Sequence, residues 1–279
     1  MVKLNIKFSG IVLHSTAFGD NDLILTLLTN ELGKIDAIAK GARKMNKAPL
    51  YTQPFSYSEF VAYKGKNLYI INSADFKDAF YELRNDLRKL SLAQYFTETD
   101  LFIPKDIIIT EGQLLLKLLL NSLYLLCKGQ ISETIIKIVY EIKYAVYTGF
   151  TPQTEACVSC QANNPYIWNF DDGFYCGECG MEKLNEKEQT NNNNTETSIK
   201  GIKLSSAMVL ALRHIIKNEG ATGYAFKISE ASLEYLSSVT ERYLAHHLDT
   251  QFKSLGYYKS VYEIEQSISK LKSTGEKLV

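Results

Sequence analysis

Over the first 75 residues apolar and polar side chains alternate in short runs. IKFSGIVLH (6–14), LILTLLT (23–29), KIDAIAK (34–40), YSEFVAY (57–63) and NLYIINS (67–73) each read as a β-strand. NELG joins the second run to the third and KGKN the fourth to the fifth, both with hairpin-turn composition. Five such strands predict a small closed barrel over residues 1–79. From about residue 80 the period changes to that of a helix. FYELRNDLRKLSLAQYF sets Phe80, Leu83, Leu87, Leu90 and Tyr95 along one helical face. Thr110 and Gln113 in TEGQLLLKLLL have capping-box spacing for a helix that ends near CKGQ, and ISETIIKIVYEIKYAVY follows as another. Helical periodicity resumes at SSAMVLALRHIIKNE and at SEASLEYLSSVTERYLAHHLDTQFKSL, and Val261, Ile264, Ile268 and Leu271 continue it. The pattern is that of an α+β protein: a β-barrel, then an all-helical domain over residues 80–279 with no internal repeat.

Two stretches interrupt the helical part. Residues 185–198, NEKEQTNNNNTETS, contain no aliphatic side chain and read as a polar flexible loop, because nothing in them can enter a core. Just before them, at about 154–184, CVSCQANNPYIWNFDDGFYCGEC holds four of the five cysteines as two CxxC pairs. In a CxxC pair the chain curls back so that two thiolates face one ion. Cys157, Cys160, Cys176 and Cys179 therefore read as the four ligands of one tetrahedral zinc. Four protein thiolates leave no position for water, which makes the expected ion structural. Cys127 lies in an apolar helix and reads as core filling.

Charge adds a modest asymmetry. The 279 residues carry 31 basic and 31 acidic side chains, yet residues 1–80 hold ten basic against seven acidic. The apolar run LLLKLLLNSLYLLC (114–127) is too short to span a bilayer and contains Lys117 and Asn121. MVKLNIKFSG has no secretory pattern, and the thiol-rich module suits a reducing compartment, so the expected location is the cytoplasm.

The five strands, with GARKMNKAPLYTQP between the third and fourth, fit an OB-fold, whose face on strands 2 and 3 and flanking loops receive nucleic acid. Lys34, Lys40, Arg43, Lys44 and Lys47 lie on or just after the third strand, and Lys64 and Lys66 in the fourth turn. These seven are the candidate DNA-binding residues. Tyr51, Phe55, Tyr57, Phe60, Tyr63 and Tyr69 are candidates to stack bases, though most of them read as barrel core or cross-strand pairs and none of the six is favoured individually. His14, His214, His246 and His247 read as surface or satisfied core residues. No phosphate-binding glycine loop or nucleophile elbow occurs, so no catalytic residue is expected. Two other readings are a metal-dependent nucleic-acid-processing enzyme and an RNA-binding OB protein.

The N-terminal segment GIVLHSTAFGDNDLILTLLTNELGKIDAIAKGAR resembles the RecO family of bacterial DNA repair and recombination mediators. Gly10, Gly19, Asp22, Thr29, Gly33, Lys34, Lys40, Gly41 and Arg43 fall on the family pattern GIVL…GExD…T…GK…KGAR, and QPF at 53–55 continues it. The paired cysteines match a zinc module of many members, and ERYLAHHLDTQFKSLGYYK resembles the C-terminal helix. The resemblance implies a non-enzymatic protein that binds single- and double-stranded DNA, anneals complementary strands, and works with RecR to load RecA onto DNA coated by single-stranded-DNA-binding protein. It also implies that the acidic, apolar tail of that coating protein docks on the helical part, where Arg213, Lys217 and Arg242 are candidate rim residues. The basic loop RKMNKAPL departs from the family, which often has a serine before the next leucine.

Overall fold

The computed structural model describes residues 4–44, 49–181 and 201–273. The polar run 185–198 lies outside them. The described chain forms two compact units, Met1–Gln130 with Gln251–Val279, and Ile131–Thr250.

The first unit begins with a closed five-stranded barrel of order β1-β2-β3-β5-β4. Its strands are β1 (Asn5–Phe18), β2 (Asp22–Thr29), β3 (Gly33–Ala39), β4 (Tyr57–Lys64) and β5 (Tyr69–Asp78). The period-2 alternation turns Phe8, Val12, Leu25, Leu27, Ile35, Ala37, Ala39, Phe60, Ala62 and Ile71 into one core. The alanines leave room for two rings, since Phe8 and Phe60 stack at 5.5 Å between centroids. Alternation of bulky and small interior residues is a common way for a small barrel to fill its taper. Closure comes from β3 and β5, which pair in parallel at Ala37↔Tyr69 and Ile38↔Ile70.

Strand β1 runs past the expected end at His14. A bulge between Val12 and His14 shifts its register, after which it pairs with β2 as far as Phe18↔Asp22. Gly19 then takes φ +57, the left-handed conformation that lets the chain turn back within three residues.

The same unit contains α1 (Leu87–Asp100), α2 (Ile109–Lys128) and α6 (Lys253–Ser273). The expected helix from residue 80 starts later. Phe80 has φ +48 and only a 3-10 turn follows at Tyr81–Asn85; then Asp86 caps α1 by accepting from the backbone N–H groups of Arg88 and Lys89. Leu87 is accordingly exposed rather than on the buried face. The expected capping box on α2 is also absent: Ile108 is the N-cap, and Gln113 donates instead to the Asn30 carbonyl at 2.9 Å. Helix α6 docks on α1 through Phe252, edge-on to Tyr95 at 5.1 Å, and Glu98 accepts from the N–H groups of Lys253 and Ser254.

The second unit comprises α3 (Glu133–Tyr147), α4 (Ser206–Lys217), α5 (Glu230–His247) and a three-stranded sheet of order β7-β6-β8. These strands are β6 (Ile167–Asn169), β7 (Gly173–Tyr175) and β8 (Ile202–Lys203). Trp168 is fully buried, stacked on Phe174 at 5.1 Å and 4.5 Å from Tyr243 of α5. A buried ammonium, Lys137, joins α3 to α5. It lies 2.9 Å from Glu141 and 3.2 Å from Glu241 and donates to the Ser237 carbonyl at 3.0 Å. Among the described residues no helix is long and apolar enough to cross a membrane.

Candidate nucleic-acid interface and metal centre

The four cysteines of the two CxxC pairs converge. Cys157 opens a tight turn in which its carbonyl accepts from Gln161 N–H and its own N–H donates to Ala162. Val158 N–H donates to the Phe174 carbonyl, which ties this turn to the β6–β7 hairpin. Cys176 follows β7 directly, and Cys179 lies one helical turn on, where Gly180 N–H donates to the Cys176 carbonyl. All four sulfurs lie within 4.8 Å of one another, with Cys160 and Cys176 at 3.7 Å.

Sulfurs around a tetrahedral zinc, each about 2.3 Å from the ion, stand roughly 3.8 Å apart, so the donor set fits such an ion in type and spacing. The separation is far too long for a disulfide, and all four thiols are free. Burial disfavours the Cys157 thiolate, but backbone hydrogen bonds from Cys160, Cys176 and Ser159 outweigh it and bring that thiol down to about 6. Ile167 and Tyr175 pack beneath the cluster.

The barrel separates the seven basic residues. Lys40, Arg43 and Lys44 are exposed in the turn that leaves β3. Arg43 donates to the Gly19 carbonyl at 3.1 Å, its N–H donates to Asn21, and Gly41 N–H donates to Asp22 Oδ1 at 2.7 Å. Those bonds fasten the basic turn to the β1–β2 turn. Lys64 and Lys66 are exposed at the β4–β5 turn. Because β5 meets β3 only at Ala37 and Ile38, that turn stands beside the first half of β3 and not at the strand's exit. The two basic groups thus flank the β2–β3 face from different ends.

Lys34 does not belong with them. Only 8 % of it is exposed, and its ammonium donates to the Leu101 carbonyl in the α1–α2 connection. Burial lowers its pKa, an effect only partly offset by Asp36. A cation enclosed in this way cannot meet a phosphate on the surface. Lys47 lies outside the described residues.

The same connection covers half of the expected face. Lys105 pairs with Asp36 at 2.5 Å, Thr26 donates to Asp36 at 2.9 Å, and Ile107 packs close to Gly33. Burial opposes ionisation of Asp36, but the bonds from Lys105 and Thr26 hold its carboxyl below the usual range. The uncovered half is the end of the face carrying Phe18, Ile24, Ile38 and Lys40. Phe18 is not among the six aromatics singled out from the sequence; its position just before the Gly19 turn is the local signal for it.

The helical rim candidates are in part engaged. Arg213 donates to the Thr154 carbonyl at 3.0 Å, and Lys217 pairs with Glu155 at 2.9 Å, which holds that carboxyl below its usual range. Arg242 is exposed on α5. Among the histidines, His246 lies 2.6 Å from Asp171, and His247 stacks on Phe150 at 4.7 Å.

Comparison with known proteins agrees with this architecture on both sides of the barrel boundary. Residues 1–80 match the family described as Recombination protein O N terminal, and residues 84–256 match Recombination protein O C terminal. The protein named DNA repair protein RecO from Acetivibrio thermocellus is 32% identical over 266 residues, covering 93% of this chain and 98% of its own length. The protein of that name from Alkaliphilus metalliredigens is 33% identical, with 92% and 99% covered, and the one from Caldicellulosiruptor bescii is 34% identical, with 85% and 94% covered. Since both halves match and these relatives align along nearly their whole lengths, the chain belongs to the RecO family of DNA repair proteins.

Proposed function

We propose that the protein is a non-enzymatic recombination mediator of the cytoplasm. In this reading it binds single- and double-stranded DNA, anneals complementary strands, and with RecR loads RecA onto DNA coated by single-stranded-DNA-binding protein. The observation that carries the reading is the open end of the β2–β3 face, where Lys40, Arg43 and Lys44 are exposed and fastened to the β1–β2 turn, with Lys64 and Lys66 on the other flank. Annealing asks for a surface that neutralises two phosphate chains while leaving base edges free to pair. Separated cationic groups around the apolar Ile24 and Ile38 suit that task, and no bond need be made or broken.

Cys157, Cys160, Cys176 and Cys179 would hold one zinc ion, which when bound supplies folding free energy to the short β6–β7 module. The residues themselves orient the turn, since Val158 and Gly180 complete backbone bonds around the sulfurs. Complete coordination by thiolates suits a structural ion and not the nucleic-acid-processing enzyme considered above.

The test is a strand-annealing assay with the full chain and labelled complementary oligonucleotides, with and without single-stranded-DNA-binding protein. Annealing well above the spontaneous rate, falling with salt, is expected. Spontaneous rates at low salt would refute the reading, and competition won by RNA of the same sequence would favour the RNA-binding alternative.

A further inference from the structure

The strand registers assemble a row of side chains across the outside of the barrel. Thr16 faces Ile24, Ile24 faces Ile38, and Ile38 faces Ile70, so the row crosses β1, β2, β3 and β5 at right angles to the strands. Its members are not part of the barrel core. Leu23, Leu25, Ala37 and Ala39 point inward, and the period of 2 sends Ile24 and Ile38 outward, where both are partly exposed. One register step further out, Phe18 faces Asp22 at the end of β1, and Phe18 is 48 % exposed. Lys40 follows β3 at the same end.

We infer that this row is a base-stacking floor for a single strand, with Phe18 as its aromatic platform and Ile24 and Ile38 as its apolar bed. The inference rests on the nucleic-acid reading above and adds what holds the bases. Charge complementarity selects the occupant. Cations border the floor at Lys40, Arg43 and Lys44 on one side and at Lys64 and Lys66 on the other. Two of the acids near it are engaged: Asp22 accepts from Gly41 N–H, and Asp36 is paired with Lys105. Asp20, exposed in the β1–β2 turn, disfavours a phosphate at the hairpin tip but not a neutral base.

A polyanion with flat apolar faces fits cationic flanks around an apolar centre. Single-stranded nucleic acid has that character, whereas in a duplex the base faces are stacked on one another and unavailable. A base lying flat on Phe18 keeps its pairing edge turned outward, ready for a complementary strand. Stacking and annealing are therefore compatible on one surface.

The experiment measures binding of the full chain by fluorescence anisotropy for Phe18→Ala, Phe18→Trp and the triple variant Lys40→Ala, Arg43→Ala, Lys44→Ala. The probes are a single-stranded oligonucleotide, its duplex, and an abasic oligomer of the same length. Phe18→Ala should weaken single-strand binding by roughly five- to a hundredfold, as loss of one base–aromatic stack does. It should leave the salt slope, the duplex and the abasic oligomer unchanged, and Phe18→Trp should bind as the native chain does. Native affinity in Phe18→Ala, or an equal loss for the abasic oligomer, would overturn the inference even where the triple variant is impaired. If the triple variant also bound as tightly as the native chain, the nucleic-acid reading of this face would itself fail.

Discussion

Removal of basic residues should act in two distinct ways, according to where the barrel places them. Lys40, Arg43, Lys44, Lys64 and Lys66 are exposed, whereas Lys34 is enclosed and bonded to Leu101. On a single strand each neutralised phosphate contributes about −0.7 to the slope of log affinity against log salt, so five contacts give a slope of about −3.5. Affinity should then fall about 130-fold between 50 and 200 mM salt. In the triple variant Lys40→Ala, Arg43→Ala, Lys44→Ala two contacts remain, the slope should flatten to about −1.4, and the same change of salt should cost about sevenfold. Thermal stability should stay near native, because exposed charges contribute little to folding. Lys34→Met should do the reverse. It takes a charged donor from the Leu101 carbonyl within the packed α1–α2 connection, at a cost of about 1–3 kcal/mol, while the salt slope stays native. Anisotropy titrations at four salt concentrations, with denaturant melts of each variant, give both readings. A slope that flattened as much in Lys34→Met as in a single Lys40→Ala, or a native slope in the triple variant, would refute the division.

Other consequences can be checked separately. Protein purified without chelator should contain one zinc per chain by mass spectrometry, and Cys176→Ser should lose the metal and melt earlier; zinc-free native protein would remove the metal assignment. Lys137→Met takes the ammonium from the buried Glu141 carboxylate and should destabilise by about 3–5 kcal/mol, with most of this recovered in Lys137→Met, Glu141→Leu. A double variant less stable than the single one would contradict that account. Burial, then the neighbouring His246, holds the His247 imidazole below its ordinary range, so the unfolded chain takes up this proton first. The stability linked to His247 should be complete above pH ~6.5 and be lost as the pH falls through the lower folded-state pKa. His247→Leu should make the denaturation midpoint less sensitive to pH between 7.5 and 5.5, and an unchanged pH dependence would argue against it.

What the sequence by itself determined is whatever depends on neighbours a few residues away. Alternation with period 2 marks the barrel strands because successive side chains must enter and leave one core, as Leu25 does opposite Ala37 and Leu27 opposite Ile35. The cysteine cluster was legible for the same reason, since each CxxC turn is local and only one hairpin separates the two pairs. The exposed lysines of the β3 exit and the β4–β5 turn were legible as turn residues. Tertiary structure alone decided which half of the β2–β3 face is open, because Leu101, Lys105 and Ile107 come from a connection far along the chain, and no local pattern records where a distant segment settles. It decided that Lys34, in sequence indistinguishable from Lys40, is enclosed. It also set the start of α1, where Phe80 is buried in a left-handed conformation and the apolar spacing through Leu87 is overridden. Helix α6 belongs to the barrel's unit because Phe252 meets Tyr95, and Glu98 accepts from the N–H groups of Lys253 and Ser254, across more than half of the chain; this burial and capping outweigh the helical periodicity shared with α3, α4 and α5.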